Sequence, residues 1–272
     1  MQSWVDGQPA HALSSLKDRG LAYGDGLFET IAVKAGQPLL LELHLRRLAA
    51  GCSRLAIVAD QSLIRGELLA YAQAMGEGVL KLILTRGDSQ RGYAPSSEAQ
   101  PRRILQASPP VVYPEANAVQ GVRLFDCATR LAEQPLLAGL KHLNRLEQVI
   151  ARSEWQDPAY AEGLMRDMSG RVIEGVFSNL FVVKDGALST ADLSRCGVAG
   201  VMRAALIAEA ERLGIACQVT DISLAQLQQA DELFLCNSVY GIWPVCAFTE
   251  RSWPVGPLTR KLQGIARTLL DV

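Results

Sequence analysis

Lys141-His142-Leu143-Asn144-Arg145-Leu146-Glu147-Gln148-Val149-Ile150 and, further along, Val172-Ile173-Glu174-Gly175-Val176-Phe177-Ser178-Asn179-Leu180-Phe181 are the stretches whose reading decides the fold. The first places an ε-amine just ahead of a helix expected over 144–154. The second is an apolar strand pattern with one carboxylate, Glu174, in its middle. A glutamate there either points to solvent or is buried with a partner, because an unpaired buried carboxylate is costly. Taken alone, Lys141 reads as one more solvated lysine and Glu174 as an outward-facing strand residue. Taken together they are the two kinds of group that an aldehyde-bearing heteroaromatic ring requires, if both face it. The amine forms an imine, and the carboxylate keeps the ring nitrogen protonated.

Outward from that pair, strands and helices alternate. Residues 30–34 read as a strand, 35–38 as a turn and 39–41 as its return. Helices are expected over 44–55 and 61–75, and strands over 79–85 and 103–107. The stretch Ser108 to Asn117 carries Pro109, Pro110 and Pro114 and cannot join a sheet interior. It marks a linker, 111–117, between a smaller N-terminal α/β domain, 1–110, and a larger C-terminal α/β domain, 118–272, that carries the lysine. In that second domain strands are expected over 121–125, 161–167, 172–183, 216–220 and 232–236. Its helices are expected over 144–154, 201–213, 223–229 and 258–270. The fold class is α+β, two domains with a ligand cleft between them.

Bulk properties narrow the function classes. The chain has 272 residues, with 27 basic and 28 acidic side chains, so nothing electrostatic recommends nucleic acid or an anionic membrane as partner. The six cysteines are scattered without C-x-x-C or metal-ligand spacing, and there are three histidines. This reads as reduced, mostly buried thiols in a cytoplasmic protein, with no metal site. The N-terminus lacks the basic and apolar regions of a signal peptide, and no apolar run approaches bilayer length.

Further candidates lie along the chain. Gly200, directly ahead of the helix at Val201, lets free backbone N–H groups converge on an anion. His44 and Arg47 share one side of a helix, and an arginine fork suits phosphate. Asn237-Ser238 closes an apolar strand, where a hydroxyl adds a phosphate contact. Each also has a plainer reading, as a helix start, a solvated basic turn and an ordinary turn.

The order of these motifs resembles that of fold-type IV pyridoxal phosphate enzymes. It runs Asp25-Gly26-Leu27-Phe28-Glu29-Thr30, His44-x-x-Arg47-Leu48, Lys141, Glu174 with Ser178-Asn179-Leu180-Phe181, Gly200-Val201-Met202-Arg203 and Asn237-Ser238. The family holds branched-chain and D-amino acid aminotransferases and an aminodeoxychorismate lyase branch. That branch is the one most similar to the lysine segment and to Thr85-Arg86-Gly87-x-x-x-Arg91-Gly92-Tyr93. The resemblance implies a two-domain fold-type IV enzyme with pyridoxal 5'-phosphate as cofactor, a homodimer, and a lyase of 4-aminobenzoate and folate biosynthesis; an aminotransferase is the alternative. It implies Lys141 as imine lysine and proton shuttle and Glu174 as partner of the pyridine nitrogen. Arg47, the amides of Val201 and Met202 and the Ser238 hydroxyl are implied as phosphate holders. Val198 is implied against the cofactor ring, and Arg91, Tyr93 and Tyr23 toward the substrate. The position of a threonine proposed as proton relay in some lyases falls on Leu21, which cannot relay protons.

Overall fold

The computed structural model describes residues 1–10 and 15–271 and divides into two compact units. The first comprises Met1–Val111, Leu140–Asn144 and Leu270–Val272, and the second Val112–Gly139 and Arg145–Leu269. The lysine segment therefore belongs to the first unit, not to the C-terminal domain where the sequence reading put it. The cause is backbone pairing. Phe28 N–H donates to Lys141 O, Leu143 N–H donates to Gly26 O, and Leu140 is buried in the first unit's core.

In the first unit, β1 (Trp4–Val5), β2 (Gln8–Pro9), β3 (Gly26–Lys34), β4 (Gln37–Pro38), β5 (Gly78–Thr85) and β6 (Arg102–Ser108) form a sheet of order β2-β1-β6-β5-β3-β4. Its helices are α1 (Arg19–Tyr23), α2 (Leu41–Leu55) and α3 (Gln61–Met75). Period-two alternation buries Leu27, Glu29, Ile31 and Val33 on one face of β3, toward α2. Leu80, Leu82 and Leu84 do the same on β5, each contributing roughly 1.5–3 kcal/mol by burial. Ala35 and Gly36, both at positive φ, make the two-residue hairpin turn from β3 to β4. The return strand is only Gln37–Pro38, because Leu40 takes a left-handed cap conformation and the leucines that follow open α2.

The second unit contains α4 (Glu115–Val119), β7 (Val122–Leu131), α5 (Leu146–Ser153), β8 (Tyr160–Asp167), β9 (Val172–Gly175), β10 (Asn179–Lys184), β11 (Ala187–Ala191), α6 (Val201–Arg212), β12 (Cys217–Thr220), α7 (Leu224–Gln228), β13 (Glu232–Asn237), β14 (Gly241–Phe248), β15 (Arg251–Ser252) and α8 (Pro257–Leu269). Strands β10, β13, β14, β7, β8 and β9 pair in that order, and β9 pairs back to β10, so they close into a ring. The expected single strand over 172–183 is thus two, broken at Val176–Ser178. The Glu232 carboxylate accepts from the N–H groups of Leu258 and Thr259 and caps α8. Four of the six free cysteines are buried. Among the described residues no helix is long and apolar enough to cross a membrane.

Candidate active site

Two groups of side chains gather, one in each unit. In the first, strand alternation turns Glu29 inward against α2, where His44 and Arg47 lie one turn apart. Arg47 grips the Glu29 carboxylate with both ends of its fork, Nε to Oε1 at 2.8 Å and Nη2 to Oε2 at 2.5 Å. His44 Nδ1 lies 2.6 Å from Oε2. Burial pushes the Glu29 pKa up, but the Arg47 charge and the hydrogen bonds outweigh it and bring it down to about 2. Burial also lowers the pKa of His44 against the pull of Glu29. A neutral imidazole beside an ionised carboxylate donates from Nδ1–H, which leaves Nε2 unprotonated. The sequence-predicted Arg47 is therefore aligned by Glu29, a residue to which the sequence reading gave no role.

On the same strand Phe28 points to the opposite face. The Lys141 ammonium lies 4.2 Å from the centre of its ring, a cation–π contact that holds the amine in place. His142 pairs with Leu27, so the β3 backbone fixes the lysine on both sides.

The glycine-bearing loop is fixed differently. Arg19 donates to Asp25 at 2.8 Å, to Ser89 Oγ and Gly92 O at 3.1 Å each, and to Tyr93 O at 2.7 Å. Arg86 also donates to Asp25. Burial raises the Asp25 pKa, and the two arginines bring it below its usual range. The rings of Tyr23 and Tyr93 meet at 5.4 Å, with the Arg19 guanidinium over Tyr23. Tyr93, Arg91 and Leu21 are exposed.

In the second unit Glu174, next to last in β9, pairs directly with Asn179 at the start of β10. Glu174 Oε2 accepts from Val198 N–H at 2.8 Å and from Asn179 Nδ2 at 3.4 Å, while Asn179 Nδ2 also donates to Val198 O at 2.9 Å. Asn179, on the next strand, and Val198, 24 positions on, thus hold this carboxylate. The charge of Glu174 acts on Arg145, whose pKa is lowered by burial and raised by Glu174. Helix α6 starts immediately beyond. A Cβ on Gly200 would lie 2.0 Å from Asn179 Oδ1, so only glycine fits, and it heads the helix without a side-chain cap. The first N–H groups of α6, those of Val201 and Met202 among them, have no carbonyl of their own helix to donate to. Arg203 does not join them. It is buried and donates to Thr190 Oγ1 and Ala191 O. Ser238 sits in the turn after β13, which Asn237 shapes by accepting from the N–H groups of Val239 and Tyr240.

The sequence reading named Lys141, Glu174, Arg47 and Val198 as candidates and gave no role to Glu29, Asn179 or Arg145. The available signal for Glu29 was a carboxylate in register with Leu27, Ile31 and Val33; for Asn179 it was the polar residue that interrupts an apolar strand.

The family model for amino-transferase class IV matches residues 26–248. An aminodeoxychorismate lyase of Vibrio harveyi is 38% identical over 97% of this chain and 99% of its own length. A putative branched-chain-amino-acid aminotransferase of Methanocaldococcus jannaschii is 30% identical over 92% of this chain and 88% of its own. The crystal structure of 4-amino-4-deoxychorismate lyase from Pseudomonas aeruginosa is 64% identical and has a TM-score of 0.97, over 99% of this chain and 100% of that one. With the fold and most of the length shared, the chain belongs to the class IV aminotransferase family.

Proposed function

We propose that the protein is a pyridoxal phosphate-dependent lyase converting 4-amino-4-deoxychorismate into 4-aminobenzoate and pyruvate, a step toward folate. The observation that carries this is full-length likeness to two proteins named for that activity, one of them at nearly two-thirds identity.

The residues fit the cofactor. A carboxylate held by a backbone N–H is a ready partner for a pyridine N–H. An uncapped helix start headed by an obligatory glycine suits a phosphate. When bound, the cofactor supplies an aldehyde for amine attachment and a ring that accepts an electron pair. Lys141 attaches the group through Nζ and, once released, takes the proton from C4 of the substrate ring. The electron pair left behind expels the enolpyruvyl oxygen, the ring becomes aromatic, and protonation of the enol carbon completes pyruvate. Glu174 keeps the pyridine nitrogen protonated. The Val201 and Met202 amides, the Ser238 hydroxyl and Arg47, kept in line by Glu29, hold the phosphate. Val198 packs against the ring. Arg91, Tyr93 and Tyr23 take the substrate side, with Arg91 suited to a substrate carboxylate.

Apolar side chains of α5, namely Leu146, Val149 and Ile150, are exposed together with Leu136. A stripe of that kind supports a homodimer, and the reduced thiols support a cytoplasmic location.

The test is 4-aminobenzoate and pyruvate formation by wild type and Lys141→Ala on 4-amino-4-deoxychorismate. Wild type should form both products, and the variant should lose roughly a thousandfold or more. Fast transamination of D- or branched-chain amino acids with 2-oxoglutarate, without aminobenzoate, would overturn the reading in favour of an aminotransferase. Sedimentation as a monomer would remove the dimer.

A further inference from the structure

Beneath the turn from β9 to β10 lies a carboxylate that the proposed chemistry does not use. Glu162, on β8, is fully buried. Its Oε1 accepts from the N–H groups of Gly163 at 2.9 Å and Val176 at 3.0 Å. Its Oε2 accepts from Phe177 N–H at 3.3 Å and Ser178 Oγ at 2.8 Å. A Cβ on Gly175 would stand 2.3 Å from Ser178 Oγ and 3.0 Å from the Glu162 carboxyl carbon, so glycine is what lets the carboxylate approach. Three of the four donors belong to the residues between Glu174 and Asn179. These are the two side chains that grip Val198, one at its N–H and the other at its carbonyl.

We infer that Glu162 is a positioning residue: by gathering Val176, Phe177 and Ser178 it sets the turn that brings Glu174 and Asn179 together on Val198. A carboxylate suits this role because its two oxygens accept several diverging donors at once, whereas a glutamine amide offers a single acceptor oxygen and adds two donors. Without the acceptor, the Phe177 N–H and the buried Ser178 hydroxyl would lose their Glu162 partner and turn toward water, while Val176 N–H would keep only Gly163 O, loosening the turn and the Glu174–Asn179 pairing with it. The titratable groups facing Glu162 are Tyr113, Tyr240 and Cys127: burial first and the Glu162 charge second raise the pKa values of the two tyrosines, and burial, then the charges of Glu154 and Glu162, raise that of Cys127. None of them is a cation. The consequence for catalysis rests on the reading of Glu174 as partner of the cofactor nitrogen; the consequence for Val198 does not.

The experiment is residue-resolved amide hydrogen exchange on the full-length protein, with and without pyridoxal phosphate, for wild type, Glu162→Gln and Glu162→Ala. The Val198 N–H should exchange roughly tenfold faster or more in the variants. Ile31, in the other unit, should keep its wild-type rate. On aminodeoxychorismate the variants should lose kcat with little change in KM. If Val176 and Phe177 accelerate while Val198 keeps its wild-type protection, Glu162 only packs the turn and the inference is overturned. Glu162→Gln, of equal volume, carries the comparison if Glu162→Ala does not fold. Absence of aminobenzoate from the wild type would sink the lyase reading alone, since the Val198 rates are read without substrate.

Discussion

Glu29 and Glu162 are both buried strand glutamates, one in each unit, yet their surroundings drive them in opposite directions. Arg47 and His44 surround Glu29, and its pKa falls to about 2. Only neutral donors surround Glu162, and burial pushes it up to about 7 against four hydrogen bonds that pull down. The difference teaches that hydrogen bonds alone do not repay the desolvation of a carboxylate, whereas a bidentate guanidinium does. It also separates two tasks. Glu29 is a fixed charge that aligns another charge; Glu162 is a multivalent acceptor that shapes backbone.

The largest way to break the comparison is to remove the fixed charge. Glu29→Ala leaves Arg47 and His44 facing a buried hole, and taking one partner from a buried ion pair costs about 3–5 kcal/mol. Urea unfolding should show that loss. Glu162→Ala, which strands no cation, should cost less. An equal or larger loss at Glu162 would mean that the neutral cluster, not the ion pair, dominates.

The pH dependence sharpens it next. Glu29 is depressed from 4.5 to about 2, so its contribution is complete above pH 4.5 and is lost as pH falls toward 2. The full amplitude is about 3 kcal/mol. Glu162 is raised from 4.5 to about 7, so the native state binds the extra proton and stability falls as pH rises through that window. The amplitude is again about 3 kcal/mol at most. Unfolding free energy measured from pH 4.5 to 7.5 on wild type and Glu162→Gln should differ in slope, the variant being flatter. Identical slopes would show that Glu162 is ionised throughout.

The same contrast explains what could be read from the sequence. Motif order, the lysine, Glu174 and Arg47 were legible because each chemical group sits in a short string with its neighbours. Helix α3 was expected over its full observed range because Asp60 caps it and apolar spacing is unbroken. The partners were not legible, because Glu29–Arg47, Glu162–Ser178 and Glu174–Val198 are contacts made by strand pairing and loop closure. The break at Val176–Ser178 was missed since its cause, Glu162, lies on another strand, and an apolar run with one glycine looks continuous. Strand β14 was missed because Pro244 interrupts it. The membership of Lys141 in the first unit follows from a backbone bridge to Leu27 that no local pattern announces.

The smallest effect tests the neutral cluster from its other end. Ser178→Ala removes one of the four donors to Glu162 and keeps the Gly175 turn. A neutral hydrogen bond of this kind contributes about 1 kcal/mol, and the loss falls on the ionised form, which depends on its donors. Below pH 7 Glu162 is increasingly protonated, and its O–H donates where the carboxylate only accepted, so the hydroxyl matters less. The destabilisation by Ser178→Ala should therefore be larger at pH 8 than at pH 6, measured as paired melting temperatures. A pH-independent penalty would show that Ser178 serves the turn without serving the charge on Glu162.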